Sequence, residues 1–181
     1  MTRTITQLPS GPVHIRPVHA DECHAAGLLV VAAYQELPGA HMEGGYAEEL
    51  AAVERRSIEA EVLVAIDSND ELVGCVTLVP DASSPWAEQV EAGESSIRML
   101  AVHPSAQGHG IGADLLDACI ERARLLGTSG VFLHSTPSMQ AAHHIYEKAG
   151  FVRVPERDWL PTPDVPLLAF RLDLTPPANS G

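Results

Sequence analysis

The sequence predicts a mixed α/β (α+β) layered domain with element order β-α-α-β-β-β-α-β-α-β-β, and three observations predict it. Short β-branched runs alternate with segments of helical periodicity. A glycine-rich turn, Gln107-Gly108-His109-Gly110-Ile111-Gly112, joins an apolar strand to an amphipathic helix. The length of 181 residues, with 45% hydrophobic and 19% charged side chains, suits one buried core. The domain is expected over residues 11–174, with a flexible N-terminus at 1–10 and a disordered, Pro-rich tail at 175–181.

Each element has its own signal. Residues 13–18 alternate and read as a short strand, which Pro17 confines to a sheet edge or a strand end. Residues 21–37 are helical in propensity until Pro38-Gly39 stops them. Residues 46–61, rich in Ala, Glu and Arg, read as one second helix. Residues 61–67 and 71–79 are β-branched runs around Ser68-Asn69-Asp70, which predicts a hairpin. An acidic loop at 81–93 leads to a mostly apolar strand at 95–102, ended by His103-Pro104. After the glycines, Ile111, Leu115, Leu116, Cys119, Ile120, Ala123 and Leu126 recur at helical spacing until Gly127 caps them. Residues 131–134 form a short buried strand, and 138–149 a helix that Gly150 ends. Strands at 151–154 and 167–174 close the order, joined by a Pro-rich loop holding Trp159.

Composition excludes several classes. With 24 acidic against 11 basic residues the net charge is −13, and the few cations do not cluster. Phosphate backbones and anionic membranes repel such a chain, so nucleic acid and membrane partners are not expected. No window approaches a membrane span, and residues 1–10 lack a signal peptide's apolar run. Cys23, Cys75 and Cys119 lie far apart inside apolar stretches, which predicts buried free thiols and a cytoplasmic setting. The histidine pair His143-His144 falls on different faces of one helix, and no metal is expected.

The glycine turn carries the chemistry. Glycines at 108, 110 and 112 leave backbone N–H groups open to an anion at a helix N-terminus, where the helix dipole is positive. A diphosphate held by backbone alone suits a chain so short of cations. The spacing also meets a dinucleotide fingerprint, but five residues separate strand from first glycine and the ribose-binding acid is missing. No Walker lysine and no Gly-x-Ser-x-Gly elbow is present.

The run Ile97-Arg98-Met99-Leu100-Ala101-Val102-His103-Pro104, followed by Gln107-x-x-Gly110-x-Gly112, resembles motif A of the GNAT N-acetyltransferase superfamily. Further on, Ala141-Ala142-His143-His144-Ile145-Tyr146-Glu147-Lys148-Ala149-Gly150-Phe151 resembles its motif B. The resemblance implies a GNAT-like fold, a central mixed sheet flanked by helices. It also implies acetyl-CoA as co-substrate and direct acetyl transfer to a primary amine of a small molecule. On that basis Gln107, Gly108, His109, Gly110, Ile111 and Gly112 hold the pyrophosphate, while Leu100, Ala101 and Val102 pair with pantetheine. Tyr146 is the expected general acid, and Glu94, just before the central strand, the expected base acting through a water; His134 is the alternative base. Many relatives carry an asparagine seven residues before the tyrosine; here Met139 stands there, and Gln140 is the expected substitute. The acceptor is expected to be read by the loops 38–45, 81–93 and 155–166, with Tyr46, Trp86, Trp159, Glu43, Glu156, Asp158 and Asp164. A homodimer is compatible with the family. The competing readings are a peptide or protein N-acetyltransferase, a non-catalytic acyl-CoA-binding sensor or interaction module, and a dinucleotide-dependent oxidoreductase.

Overall fold

The computed structural model describes residues 11–40 and 42–174; the expected flexible N-terminus and tail lie outside them. Strands β1 (His14–Pro17), β2 (Glu61–Ile66), β3 (Leu72–Val79), β4 (Glu94–Val102), β5 (Gly130–Ser135), β6 (Val152–Arg153), β7 (Trp159–Thr162) and β8 (Val165–Asp173) share one sheet. Its order is β1-β2-β3-β4-β5-β8-β6, with β7 paired to β8 off that path. All pairings are antiparallel except that of β4 with β5. The helices are α1 (Cys23–Gln35), α2 (Tyr46–Ala51), α3 (Val53–Glu59), α4 (Ile111–Leu126) and α5 (Gln140–Lys148).

Strand alternation splits the apolar residues into two cores, one on each face. On one face Leu63, Ala65 and Leu133 pack with Leu115 and Ile120 of α4 and Tyr146 of α5. On the other, Val62, Val64 and Met99 pack with Leu29 and Val30 of α1, Leu50 of α2 and Val53 of α3. The cysteines Cys23, Cys75 and Cys119 are free and buried, as expected. Pro17 ends β1 at the sheet edge, where a missing N–H costs least. The β2–β3 turn places Asp70 at φ 63°, and the Asp67 carboxylate accepts from the Asn69 and Glu71 N–H groups.

The fold departs from the expected order at two places. The single helix expected at 46–61 breaks at Ala52, which adopts ψ 49°. The cause is Arg56, fully buried, whose guanidinium turns back to the carbonyls of Glu49 and Leu50 at the end of α2 and to Thr77 Oγ1. The second departure is β7, a strand inside the stretch expected to be loop. Trp159 pairs with Leu167 and Thr162 with Val165, so β8 starts two residues earlier than its sequence suggested. No helix among the described residues is long and apolar enough to cross a membrane.

Candidate active site

The site begins where the sheet's parallel pair comes apart. Strands β4 and β5 are paired only over Glu94–Gly130, Ser95–Val131 and Ser96–Phe132. Beyond that point a bulge sits in β4: Cys75 faces Ala101 and Thr77 faces Arg98, so Met99 and Leu100 oppose Val76 alone. Met99 takes φ 54°, a left-handed conformation costing a non-glycine residue about 1–2 kcal/mol. The bulge turns β4 away from β5 and leaves a V-shaped fork. From Ile97 to Val102, β4 has no strand partner on its β5 side. Leu100, Ala101 and Val102 lie along this open edge.

The glycine turn lies just past the mouth of the fork. Gly108 and Gly110 both take φ 82°, Gly110 as the N-cap of α4. A Cβ at either would meet nothing within 4 Å, so the space beside both is open. Gly112 is buried, a Cβ there lying 3.3 Å from Ile145 of α5. Side chains close the turn from behind: Gln107 donates to the Val102 carbonyl, and His109 Nδ1 lies 2.9 Å from the Gln107 carbonyl. Ile111 is buried beneath the loop. This cradle of left-handed glycines at the N-terminus of a sixteen-residue helix fits a diphosphate.

Inside the fork is a cavity of about 110 Å³, lined by Ser96, Arg98 and Leu100 of β4, His134 of β5 and Tyr146 of α5 among others. Tyr146 reaches it from the α4–α5 face, its ring against Phe151 and Phe170. Burial pushes its phenol well above the usual range, so it stays protonated. The cavity opens through Tyr34, Tyr46, Glu88, Arg98, Met139 and Leu167 into a cleft of about 770 Å³. Residues 37–40 and 42–45, together with Trp159 and Asp164, wall the cleft. Arg98 bridges cavity and cleft, 3.0 Å from Glu88 and 3.5 Å from Glu49. Burial raises the Glu88 carboxyl, against the pull of Arg98.

Several expected site residues stand elsewhere. Glu94 is 3% exposed at the paired, N-terminal end of β4. Its Oε1 accepts from Arg171 at 2.7 Å and Arg157 at 2.9 Å, and its Oε2 accepts from Arg157 at 2.9 Å and from the Glu91 N–H. Burial pushes this carboxyl up, yet the two arginines outweigh it and hold it below the usual range. Both oxygens are thus committed to cations, and a base needs a free lone pair and a higher pKa. Trp86 is 5% exposed and donates to Glu59 rather than facing the cleft. Asp158 is held by Arg153 and the Ala169 N–H. Neither it nor Glu156 lines the cleft, and of the loop 81–93 only Glu88 does. Gln140 is exposed at the first turn of α5. His143 faces inward to Ser135 Oγ while His144 is more exposed, and no group of three metal-binding side chains occurs among the described residues.

Sequence reasoning missed Ser96, Arg98, Glu88 and Tyr34. Two polar residues inside a buried apolar strand were the available signal for Ser96 and Arg98. Nothing local marks the other two.

A sheet forked at its parallel pair, with an anion cradle at the fork and a protonated tyrosine in it, defines an acyltransferase of the acyl-CoA type. Residues 22–151 match the model of the acetyltransferase (GNAT) family, and the chain belongs to that family. Over 72 residues it is 33% identical to a mycothiol acetyltransferase from Beutenbergia cavernae; the match spans 40% of this chain and 24% of the relative. The fold is similar to yncA from Salmonella typhimurium, solved with its cofactor acetyl-CoA (TM-score 0.69, 21% identity, 93% of this chain and 97% of that one). It is also similar to a ribosomal-protein-alanine N-acetyltransferase from Brucella melitensis (TM-score 0.68, 20% identity, 89% and 99%).

Proposed function

We propose that this acetyltransferase uses acetyl-CoA and passes the acetyl group directly to a primary amine of a small molecule. The observation that carries the reading is the alignment of the glycine cradle, the unpaired edge of β4 and Tyr146 around one fork. In this reading the N–H groups of 107–112 hold the pyrophosphate, and the edge at Leu100, Ala101 and Val102 pairs with pantetheine as an added strand would. The β4 N–H near Leu100 polarises the thioester carbonyl. Tyr146 protonates the leaving sulfur, and burial keeps its phenol in the protonated form that this role requires. Gln140, exposed at the start of α5, supplies a polar contact to the cofactor. Glu94 is reassigned from base to structural anchor, because its lone pairs are spent on Arg157 and Arg171.

A small acceptor is favoured by the cleft, whose volume falls in the ~300–1,000 Å³ range of small-ligand sites. The test is calorimetric titration with acetyl-CoA, CoA and NAD(P)H, then thiol-release assays over small amines and peptides. Acetyl-CoA binding with release for a small amine is the expected result. Release with peptides alone would move the acceptor to protein. Binding without release would make the domain a sensor, and no CoA binding would overturn the reading.

A further inference from the structure

The fork holds a feature that acetyl-CoA binding alone leaves unexplained. Ser96 is 3% exposed, and its Oγ is buried without a hydrogen-bond partner among the described residues. It stands at the last β4–β5 pair, Ser96–Phe132, on the lining of the cavity. Two residues beyond Phe132, His134 lines the same cavity. His134 Nε2 lies 3.0 Å from the Arg157 carbonyl, which can only accept, so Nε2 carries the proton and Nδ1 the lone pair. Val131 and Leu133 face the core that holds Tyr146, so by strand alternation His134 approaches from the opposite face, the side of the acceptor cleft.

We propose that His134 accepts the proton of the acceptor ammonium through a water held by Ser96 Oγ, with Arg157 and Glu94 as the positioning pair behind it. The inference rests on the acetyltransferase reading above. A cavity of about 110 Å³ has room for such a water and for the reacting amine. An ammonium N–H proton passes through the water to His134 Nδ1 and from the imidazolium to solvent. The neutral amine then forms the N–C bond as the C–S bond breaks. Tyr146 gives its proton to the sulfur, and the second nitrogen proton returns to the tyrosine oxygen. One proton is released overall.

Arg157 serves twice: its carbonyl fixes the imidazole tautomer, and its guanidinium lies over the Phe132 ring at 3.7 Å, clamped by Glu94. The charged and titratable groups around His134 are Arg157 and Asp158 from the turn before β7, Arg98 and Glu88 across the cavity, and Tyr34, Tyr46 and Tyr146. Burial is the main cause that keeps His134 below the ordinary histidine range, so the ring stays neutral at neutral pH. Glu88 is the rival base, but it is paired to Arg98.

The test compares pH–rate profiles of wild type, His134→Gln, Glu88→Gln, Ser96→Ala and Arg157→Lys with an amine that wild type turns over. His134→Gln should lower kcat by roughly 10²-fold or more, remove the acid limb of kcat/KM, and leave acetyl-CoA affinity unchanged. Ser96→Ala should lower kcat without lowering Tm, since it deletes an unpaired buried hydroxyl. Arg157→Lys keeps the backbone carbonyl but loosens the guanidinium clamp to Glu94 and Phe132. It should therefore lower kcat and shift the acid limb with KM for acetyl-CoA unchanged, while ¹⁵N spectra of the His134 imidazole in wild type should show the Nε2–H tautomer. An acid limb that survives His134→Gln, or follows Glu88→Gln, overturns the inference while the acetyltransferase reading stands. Ser96→Ala with unchanged kcat removes the water. If wild type turns over no amine at all, both readings fall, and the acetyl-CoA titration separates that case from a misassigned base.

Discussion

The two halves of β4 are built for opposite purposes, although nine consecutive residues form one strand. The N-terminal half is closed. It pairs with β3 and β5 and begins at a buried carboxylate held by two arginines. The C-terminal half is open: it pairs with β3 alone, bulges at Met99 and presents its other edge to the fork. The open edge has no strand to take its backbone hydrogen bonds, which is tolerable only where a ligand, water or side chain supplies the partner, as Gln107 does at the Val102 carbonyl. The site is thus made by ending a strand pairing early, and the firm half holds the open half in place.

Substituting at the open end tests the cradle most severely. Gly110→Glu should abolish acetyl-CoA binding by calorimetry, because a carboxylate would fill the space left for phosphate and Gly110 sits at φ 82°. Retained affinity would reduce the loop to a turn. Breaking the closed end should act on stability instead. Glu94→Ala leaves Arg157 and Arg171 without their shared anion, and removing one partner of a buried pair costs about 3–5 kcal/mol. Acetyl-CoA affinity should not change, and a large loss of affinity at constant Tm would place Glu94 in the site.

The sign of the pH effect follows from the same carboxylate. Its folded pKa is depressed, so its contribution is complete above the unfolded value and disappears as pH falls through the folded one. Wild type should therefore lose stability on acidification below the ordinary carboxylate range. Glu94→Gln should flatten that part of the curve, as read from denaturant midpoints across pH. Tyr146→Phe comes next in size. It should cut turnover by roughly 10²-fold with acetyl-CoA affinity intact, and an unchanged rate would remove Tyr146 from the chemistry.

The sequence announced the open half better than the closed one. Glycines 108 and 110 were legible because left-handed backbone leaves a compositional trace. The tyrosine and the element order were legible from motif and periodicity. Met99 was not, because a methionine at φ 54° carries no sign of its strain. Nor was the part played by Glu94, since its partners Arg157 and Arg171 lie 63 and 77 residues away and meet it only through the folding of β8. Local propensity likewise joined α2 to α3, because the break at Ala52 depends on Arg56 reaching back to carbonyls it cannot address until Thr77 and the sheet are in place. Strand β7 was hidden by Pro161 and Pro166, which suggest a loop until β8 pairs with it.

The smallest expected effect asks how firmly the open half is supported from below. Gly74 of β3 is paired with Val102, the last residue of β4, and lies directly under α4. A Cβ there would sit 2.8 Å from Leu115 Cδ1 and 3.1 Å from Ile111 Cγ2. Both are ends of side chains, so the helix can shift slightly rather than clash with backbone. Gly74→Ala should therefore cost about 1–3 kcal/mol, the usual range for overpacking, by denaturant unfolding. Ile111 is the first residue of α4, so lifting it also moves the cradle at Gly108 and Gly110 relative to the β4 edge. A modest loss of acetyl-CoA affinity should accompany the loss of stability. If stability falls while affinity stays constant, the cradle and the β4 edge move together as one unit with α4. In that case the bulge at Met99, not the seating of the helix, sets the width of the fork.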